Sequence, residues 1–108
     1  MTLRTITAKE LSDKLKKNDV VHLLDVRAEE KYNDYHIKDP NIESLNIPKT
    51  QIFDLNMEAI NLLPKKEEII VTCTTGNSAS KCAKILSEKG LQVVVLEGGI
   101  TEWKTLNK

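Results

Sequence analysis

The sequence predicts an α/β fold with a mainly parallel sheet and helices on both faces of that sheet. Three observations predict it. Short β-branched and aliphatic runs alternate with stretches of helical period, and the central runs are apolar on both faces, as buried parallel strands are. The chain of 108 residues suits one hydrophobic core. We therefore expect a single domain over residues 1–108.

The first predicted helix follows a short strand over residues 3–6. Thr7 and Glu10 have the spacing of a capping box, in which a hydroxyl and a carboxylate each accept one free N–H of the first turn. Leu11 and Leu15 are four residues apart and give the helix one apolar face. A polar turn then ends it.

The middle of the chain contains two strand candidates separated by charged sequence. Residues 20–26 form a nearly unbroken aliphatic run that is too short for a buried helix. Residues 44–47 form a smaller run that Pro48 closes. The charged segment 27–35 can form a short helix, and the moderately apolar stretch 53–63 is predicted as one helix.

The strongest strand signal covers residues 68–73 and stops at small polar residues. The period then becomes helical, and Gly90 lies where a left-handed C-terminal cap is expected. A strand over 91–96 and a terminal helix over 100–107, anchored by Trp103, complete the alternation. The apolar stripe of the helix before Gly90 consists of Ala79, Cys82, Ala83 and Leu86.

Charge and composition disfavour several classes of partner. The chain has 16 basic and 16 acidic residues, so no net field attracts nucleic acid or anionic lipid. No apolar run approaches the roughly 18 residues of a membrane span. Two cysteines do not make a disulfide framework, and a reducing compartment keeps both as thiols. We expect a cytoplasmic protein with neither nucleic acid nor a membrane as partner.

The segment after the strongest strand is the predicted site. Ligands of open parallel sheets bind beyond the carboxyl ends of the strands, where loops lead into helix N-termini. Cys73 is expected to end the strand, and N–H groups of the loop after it can converge with the helix dipole on one point. Both effects favour the thiolate, which predicts a nucleophilic Cys73. The alternative is a buried cysteine that only packs.

The remaining polar residues indicate structural roles. Cys82 falls on the apolar stripe of its helix, so packing explains it. Asp25 and Arg27 are at the end of the second strand, and we expect a salt bridge that ties loops together at the same edge as Cys73. Neither histidine has metal-ligand spacing to a cysteine, so no metal is predicted.

Five short motifs follow one another across nearly the whole chain, and five in order are hard to obtain by chance. They are Leu24-Asp25-Val26-Arg27, His36-Ile37, Asn46-Ile47-Pro48, Cys73-x-x-Gly76-Asn77-Ser78 and Glu97-Gly98-Gly99-Ile100-x-x-Trp103. In this order they resemble a single-domain rhodanese. The resemblance implies a rhodanese-like three-layer fold with a five-stranded sheet and an active-site loop of six residues after the cysteine.

The resemblance also implies a sulfurtransferase that needs no cofactor. In that family the cysteine takes the outer sulfur of a donor such as thiosulfate, holds it as a persulfide, and passes it to cyanide, a thiol or a protein acceptor. Cys73 would be that nucleophile, and Asp25 and Arg27 would orient the loop. The substrate-binding N–H groups would come from Thr74, Thr75, Gly76, Asn77, Ser78 and Ala79.

Two departures from the family pattern matter. Many rhodaneses carry Arg or Lys in this loop, whereas Thr74, Thr75 and Ser78 are neutral, so we expect a doubly charged donor to bind weakly. The connection from His36 to Pro48 is longer than is usual in the family, which is typical of a tolerated surface insertion.

The sequence is also compatible with two other functions. One is a regulatory or sulfur-carrying module that keeps the fold and binds proteins without turnover. The other is a phosphatase or arsenate reductase, because related loops bind tetrahedral oxyanions. We rank the second lower, because such chemistry generally needs an Arg that closes the loop and residues 74–80 contain none.

Overall fold

A computed structural model describes residues 3–106, and its five strands form one parallel sheet. The elements are β1 Arg4–Ile6, α1 Ala8–Lys16, β2 Val21–Asp25, α2 Glu29–Asp34, β3 Ile42–Asn46, α3 Lys49–Phe53, α4 Met57–Ile60, β4 Ile69–Thr72, α5 Asn77–Glu88, β5 Val93–Leu96 and α6 Gly99–Leu106. The strand order in the sheet is β1-β5-β4-β2-β3. The predicted five-stranded α/β fold is confirmed.

Helices cover both faces of the sheet, because successive side chains of a strand point to opposite sides. Ile69 and Val71 of β4 belong to the core cluster that includes side chains of α3, α4 and α5. Ile70, between them, belongs to the cluster that includes side chains of α1 and α6. Since β4 lies between β5 and β2, its carboxyl end opens at the centre of one edge of the sheet.

Two predicted helix caps are confirmed. Thr7 Oγ1 accepts the Glu10 N–H at 3.1 Å, and the Glu10 carboxylate accepts the Thr7 N–H at 3.0 Å. The donated N–H of Thr7 holds the pKa of the Glu10 carboxyl below its ordinary value. After α5, Gly90 has a φ of 86°, the left-handed conformation expected of a C-terminal cap.

The prediction of one helix over residues 53–63 is wrong. The structure has two short helices, the first of which begins directly after Pro48. Between them Leu55 has a φ of 56°, and the Asn56 side chain accepts two N–H groups of the first turn of α4. The amide of Asn56 therefore starts a new helix where the apolar pattern alone suggested continuity.

Several element boundaries also differ from the prediction. β3 pairs with β2 from Val21↔Ile42 to Asp25↔Asn46, so it starts earlier than residue 44 and ends before Ile47. The last helix starts at Gly99, and its predicted end at Asn107 lies outside the described residues. Within residues 3–106, no helix combines the length and apolarity that crossing a membrane requires.

Candidate active site

Cys73 is the first residue after the central strand rather than its last, because β4 ends at Thr72. The residue is 5% exposed and belongs to the core cluster that includes side chains of α3, α4 and α5. Two backbone N–H groups donate to its sulfur, from Gly76 at 3.0 Å and from Ala79 at 3.3 Å. The loop and the first turn of α5 thus direct positive dipole ends at Sγ, which stabilises negative charge there.

Gly76 gives the loop its shape. Its φ is 105°, and it is the residue before α5, where its carbonyl accepts the Ser80 N–H at 3.0 Å. A Cβ at this position would be 3.6 Å from Gly98 N and 3.7 Å from Leu96 O, which is ordinary contact. Glycine is therefore required for the backbone angle and not for space.

The first turn of α6 holds the loop from the other side. Ile100 N–H donates to the Cys73 carbonyl at 2.9 Å, and Thr101 N–H donates to the Thr74 carbonyl at 3.0 Å. These two bonds use N–H groups that the start of a helix leaves free. They fix the peptide planes on which the direction of the loop depends.

Asp25 and Arg27 form the predicted salt bridge at this edge of the sheet. Arg27 Nη2 is 2.7 Å from Asp25 Oδ2, and Arg27 Nε lies 3.0 Å from each carboxylate oxygen. Arg27 also donates to the Tyr35 carbonyl, which ties the end of β2 to the end of α2. Asp25 is 1% exposed, so its charge is buried but paired.

A cavity of about 210 Å³ opens beside Cys73. Its walls include Thr74, Thr75 and Ser78 of the predicted loop. Gly76 and Ala79 instead donate their N–H groups to the sulfur. Asn77 is the exposed first residue of α5 and is not among the residues that line the cavity.

Two lysines that were not predicted from the sequence also line this cavity. Lys31 of α2 and Lys49 of α3 line it together with Arg27. The ammonium of Lys49 donates to Ser78 Oγ at 3.4 Å. The strand order explains their approach, because β2 lies beside β4 and β3 lies beside β2, so the segments after these strands reach the same edge as Cys73.

A larger cavity, of about 320 Å³, is lined by His22 and Ile69 near the starts of β2 and β4, away from Cys73. The His22 ring is flanked by the carboxylates of Glu43 and Glu67. The described residues contain no cluster of three or more side chains that could hold a metal ion.

Cys82 is fully buried on the inner face of α5. Burial raises the pKa of the Cys82 thiol to about 12, and the nearby Cys73 contributes in the same direction. The Cys82 thiol therefore stays protonated near neutral pH. Packing accounts for this residue.

The two cysteines differ in their surroundings: two N–H groups and a cavity adjoin the Cys73 sulfur, whereas Cys82 is fully buried. This difference predicts selective alkylation of the native protein. Iodoacetamide near neutral pH is expected to modify Cys73 and to leave Cys82 unmodified, because only the thiolate reacts and the Cys82 thiol is kept protonated. Peptide mass spectrometry after a time course measures both sites. Alkylation of Cys82 at a rate equal to that of Cys73 would contradict the assignment of their roles.

A family model described as the rhodanese-like domain matches residues 7–106. A rhodanese-related protein from Thermoplasma volcanium has a crystal structure with 30% identity and a TM-score of 0.78, covering 95% of this chain and 92% of that one.

Relatives named as sulfurtransferases occur among curated proteins. YtwF of Bacillus subtilis, named as a sulfurtransferase, is 27% identical over 105 residues, which are 96% of this chain and 93% of YtwF. The adenylyltransferase and sulfurtransferase uba4 of Ogataea parapolymorpha is 36% identical over 83 residues, which are 76% of this chain but 20% of that protein. The chain thus spans about a quarter or less of two of its curated relatives.

Proposed function

Because this chain belongs to the rhodanese-like domain family, we propose that it is a sulfurtransferase that carries sulfur as a persulfide on Cys73. The observation that carries the proposal is the pair of N–H groups that donate to Sγ at 3.0 and 3.3 Å, beside a cavity that a small donor can enter. The same dipoles that favour a thiolate also favour the terminal sulfur anion of a persulfide.

In the first half-reaction, the Cys73 thiolate attacks the outer sulfur of thiosulfate. The bond between Sγ and that sulfur forms while the sulfur–sulfur bond of thiosulfate breaks. Sulfite leaves with the bonding electron pair, and the product is an anionic cysteine persulfide. Charge balances, because one thiolate and one dianion become one persulfide anion and one sulfite dianion.

In the second half-reaction, an acceptor attacks the outer sulfur of the persulfide. Cyanide gives thiocyanate, a thiolate gives a new persulfide, and in both cases the Cys73 thiolate is regenerated. A protein acceptor is also proposed, since the Ogataea relative bears both an adenylyltransferase and a sulfurtransferase name. We further propose that the chain functions as one domain in the cytoplasm, where a reducing environment keeps both free cysteines as thiols.

Two other functions receive less support. A module that binds proteins without turnover does not need a nucleophile held at an open cavity. A phosphatase needs a free guanidinium over the transferring group. Arg27 lines the cavity but is bound to the Asp25 carboxylate and the Tyr35 carbonyl.

Steady-state kinetics test the proposal. Thiocyanate formation is measured while thiosulfate is varied at several fixed cyanide concentrations. A covalent intermediate predicts parallel double-reciprocal lines, since the first product leaves before the acceptor binds. Intersecting lines, or no thiocyanate from any sulfane donor, would overturn it. Hydrolysis of p-nitrophenyl phosphate that depends on Cys73 would favour the phosphatase.

A further inference from the structure

The active-site loop contains no charged side chain of its own. Thr74, Thr75 and Ser78 line the cavity, and their side chains are neutral. The N–H groups of Gly76 and Ala79 are engaged by the Cys73 sulfur. A full positive charge beside an anionic sulfur donor at Sγ must therefore come from outside the loop.

Lys49 is placed to provide that charge. It is the first residue of α3, and its N–H donates to the Val26 carbonyl at 2.9 Å, which fixes the start of its side chain beside the end of β2. Its ammonium donates to Ser78 Oγ at 3.4 Å, so the side chain reaches from α3 to the first turn of α5. The lysine head thus lies beside Ser78, which lines the cavity together with Thr74 and Thr75.

The charges around the cavity do not cancel. Arg27 is neutralised by Asp25 at 2.7 Å. Within residues 3–106, neither Lys31 nor Lys49 forms an ion pair with a carboxylate, and no carboxylate is among the residues that line the cavity. The cavity beside Cys73 therefore carries a net positive charge from two lysines of different helices.

We infer that Lys49, with Lys31 beside it, selects sulfur donors by the charge of the oxyanion that they release, and favours a dianion over a monoanion. This inference rests on the proposed sulfur transfer at Cys73. When Sγ bonds to the outer sulfur of such a donor, the leaving oxyanion keeps the electron pair, and the ammonium of Lys49 stabilises its charge. The counter-charge that the sequence of the loop lacks comes from α2 and α3 of the same chain.

Two donors that differ in charge test this. Attack of Sγ on the outer sulfur of thiosulfate releases the sulfite dianion. The same attack on benzenethiosulfonate releases a sulfinate monoanion. Lys49→Gln is expected to lower kcat/KM for thiosulfate about tenfold, mainly through KM, and that for benzenethiosulfonate about threefold or less. Lys49→Arg is expected to stay within about threefold of the parent protein for both donors, because it keeps the charge.

Lys66→Gln is the matched control. It removes the same charge from an exposed lysine that precedes β4, whereas Cys73 follows that strand, and it is expected to change neither donor's kinetics. Thermal unfolding of each variant verifies that the fold is intact.

The outcomes separate the two proposals. Equal kinetics of Lys49→Gln and the parent protein overturn the role of Lys49, and so does an equal loss for both donors, which would indicate a change of loop shape. In each of these cases the parent protein still transfers sulfur. Failure of the parent protein to transfer sulfur from either donor overturns the proposed function itself.

Discussion

Cys73→Ser is expected to lower kcat/KM for thiocyanate formation by at least about a thousandfold. The hydroxyl is not ionised near neutral pH and forms no persulfide. The serine oxygen can still accept the N–H groups of Gly76 and Ala79, so the loop keeps its hydrogen bonds. Steady-state assays with thiosulfate and cyanide measure the loss, and circular dichroism verifies the fold.

Cys82→Ala provides the control for this substitution. It removes the second thiol, which is fully buried on the apolar stripe of α5. Some stability is expected to be lost because a small space is left in the core, but kcat should stay within about threefold of the parent value. A loss greater than about tenfold in Cys82→Ala, or activity retained in Cys73→Ser, would mean that the wrong sulfur has been assigned.

Gly99→Ala is expected to lower the free energy of unfolding by about 3 kcal/mol or more and to disrupt the loop after β4. A Cβ there would lie 2.3 Å from the Cys73 carbonyl oxygen and 2.8 Å from both the carbonyl carbon and the oxygen of Thr74. These are backbone atoms that cannot rotate away. The residue also has a φ of 56°, which an L side chain rarely adopts.

Gly90→Ala separates the contact from the backbone angle. Gly90 has a φ of 86°, and a Cβ there meets no atom within 4 Å. Only the cost of the left-handed conformation applies, about 1–2 kcal/mol. Chemical denaturation measures both variants. If Gly99→Ala unfolds at no lower a denaturant concentration than Gly90→Ala, then the close approach of α6 to Cys73 is not as described.

The fold could be predicted because local pattern and tertiary structure agree in this chain. The apolar run that became β4 is buried on both faces, and the stripe of α5 lies in the core as its period indicates. The two helices where one was predicted show where this agreement fails. There, capping by the Asn56 side chain outweighed an apolar period that continued past it.

Only part of the candidate site could be predicted from the sequence. The loop after Cys73 could be predicted, because a strand, small polar residues and a helix follow one another along the chain. Lys31 and Lys49 could not be predicted, because they lie 42 and 24 positions before Cys73 in the chain. Only the order of β4, β2 and β3 in the sheet brings their helices to the same edge. The close approach of Gly99 likewise depends on the docking of α6.

The persulfide itself can be measured directly by mass spectrometry of peptides from protein loaded with thiosulfate. The peptide that contains Cys73 is expected to gain about 32 Da, one sulfur atom, and to lose it on addition of cyanide with release of one equivalent of thiocyanate. The peptide of Cys82 should be unchanged. A gain of sulfur on Cys82, or on neither cysteine with any sulfane donor, would contradict sulfur transfer through Cys73.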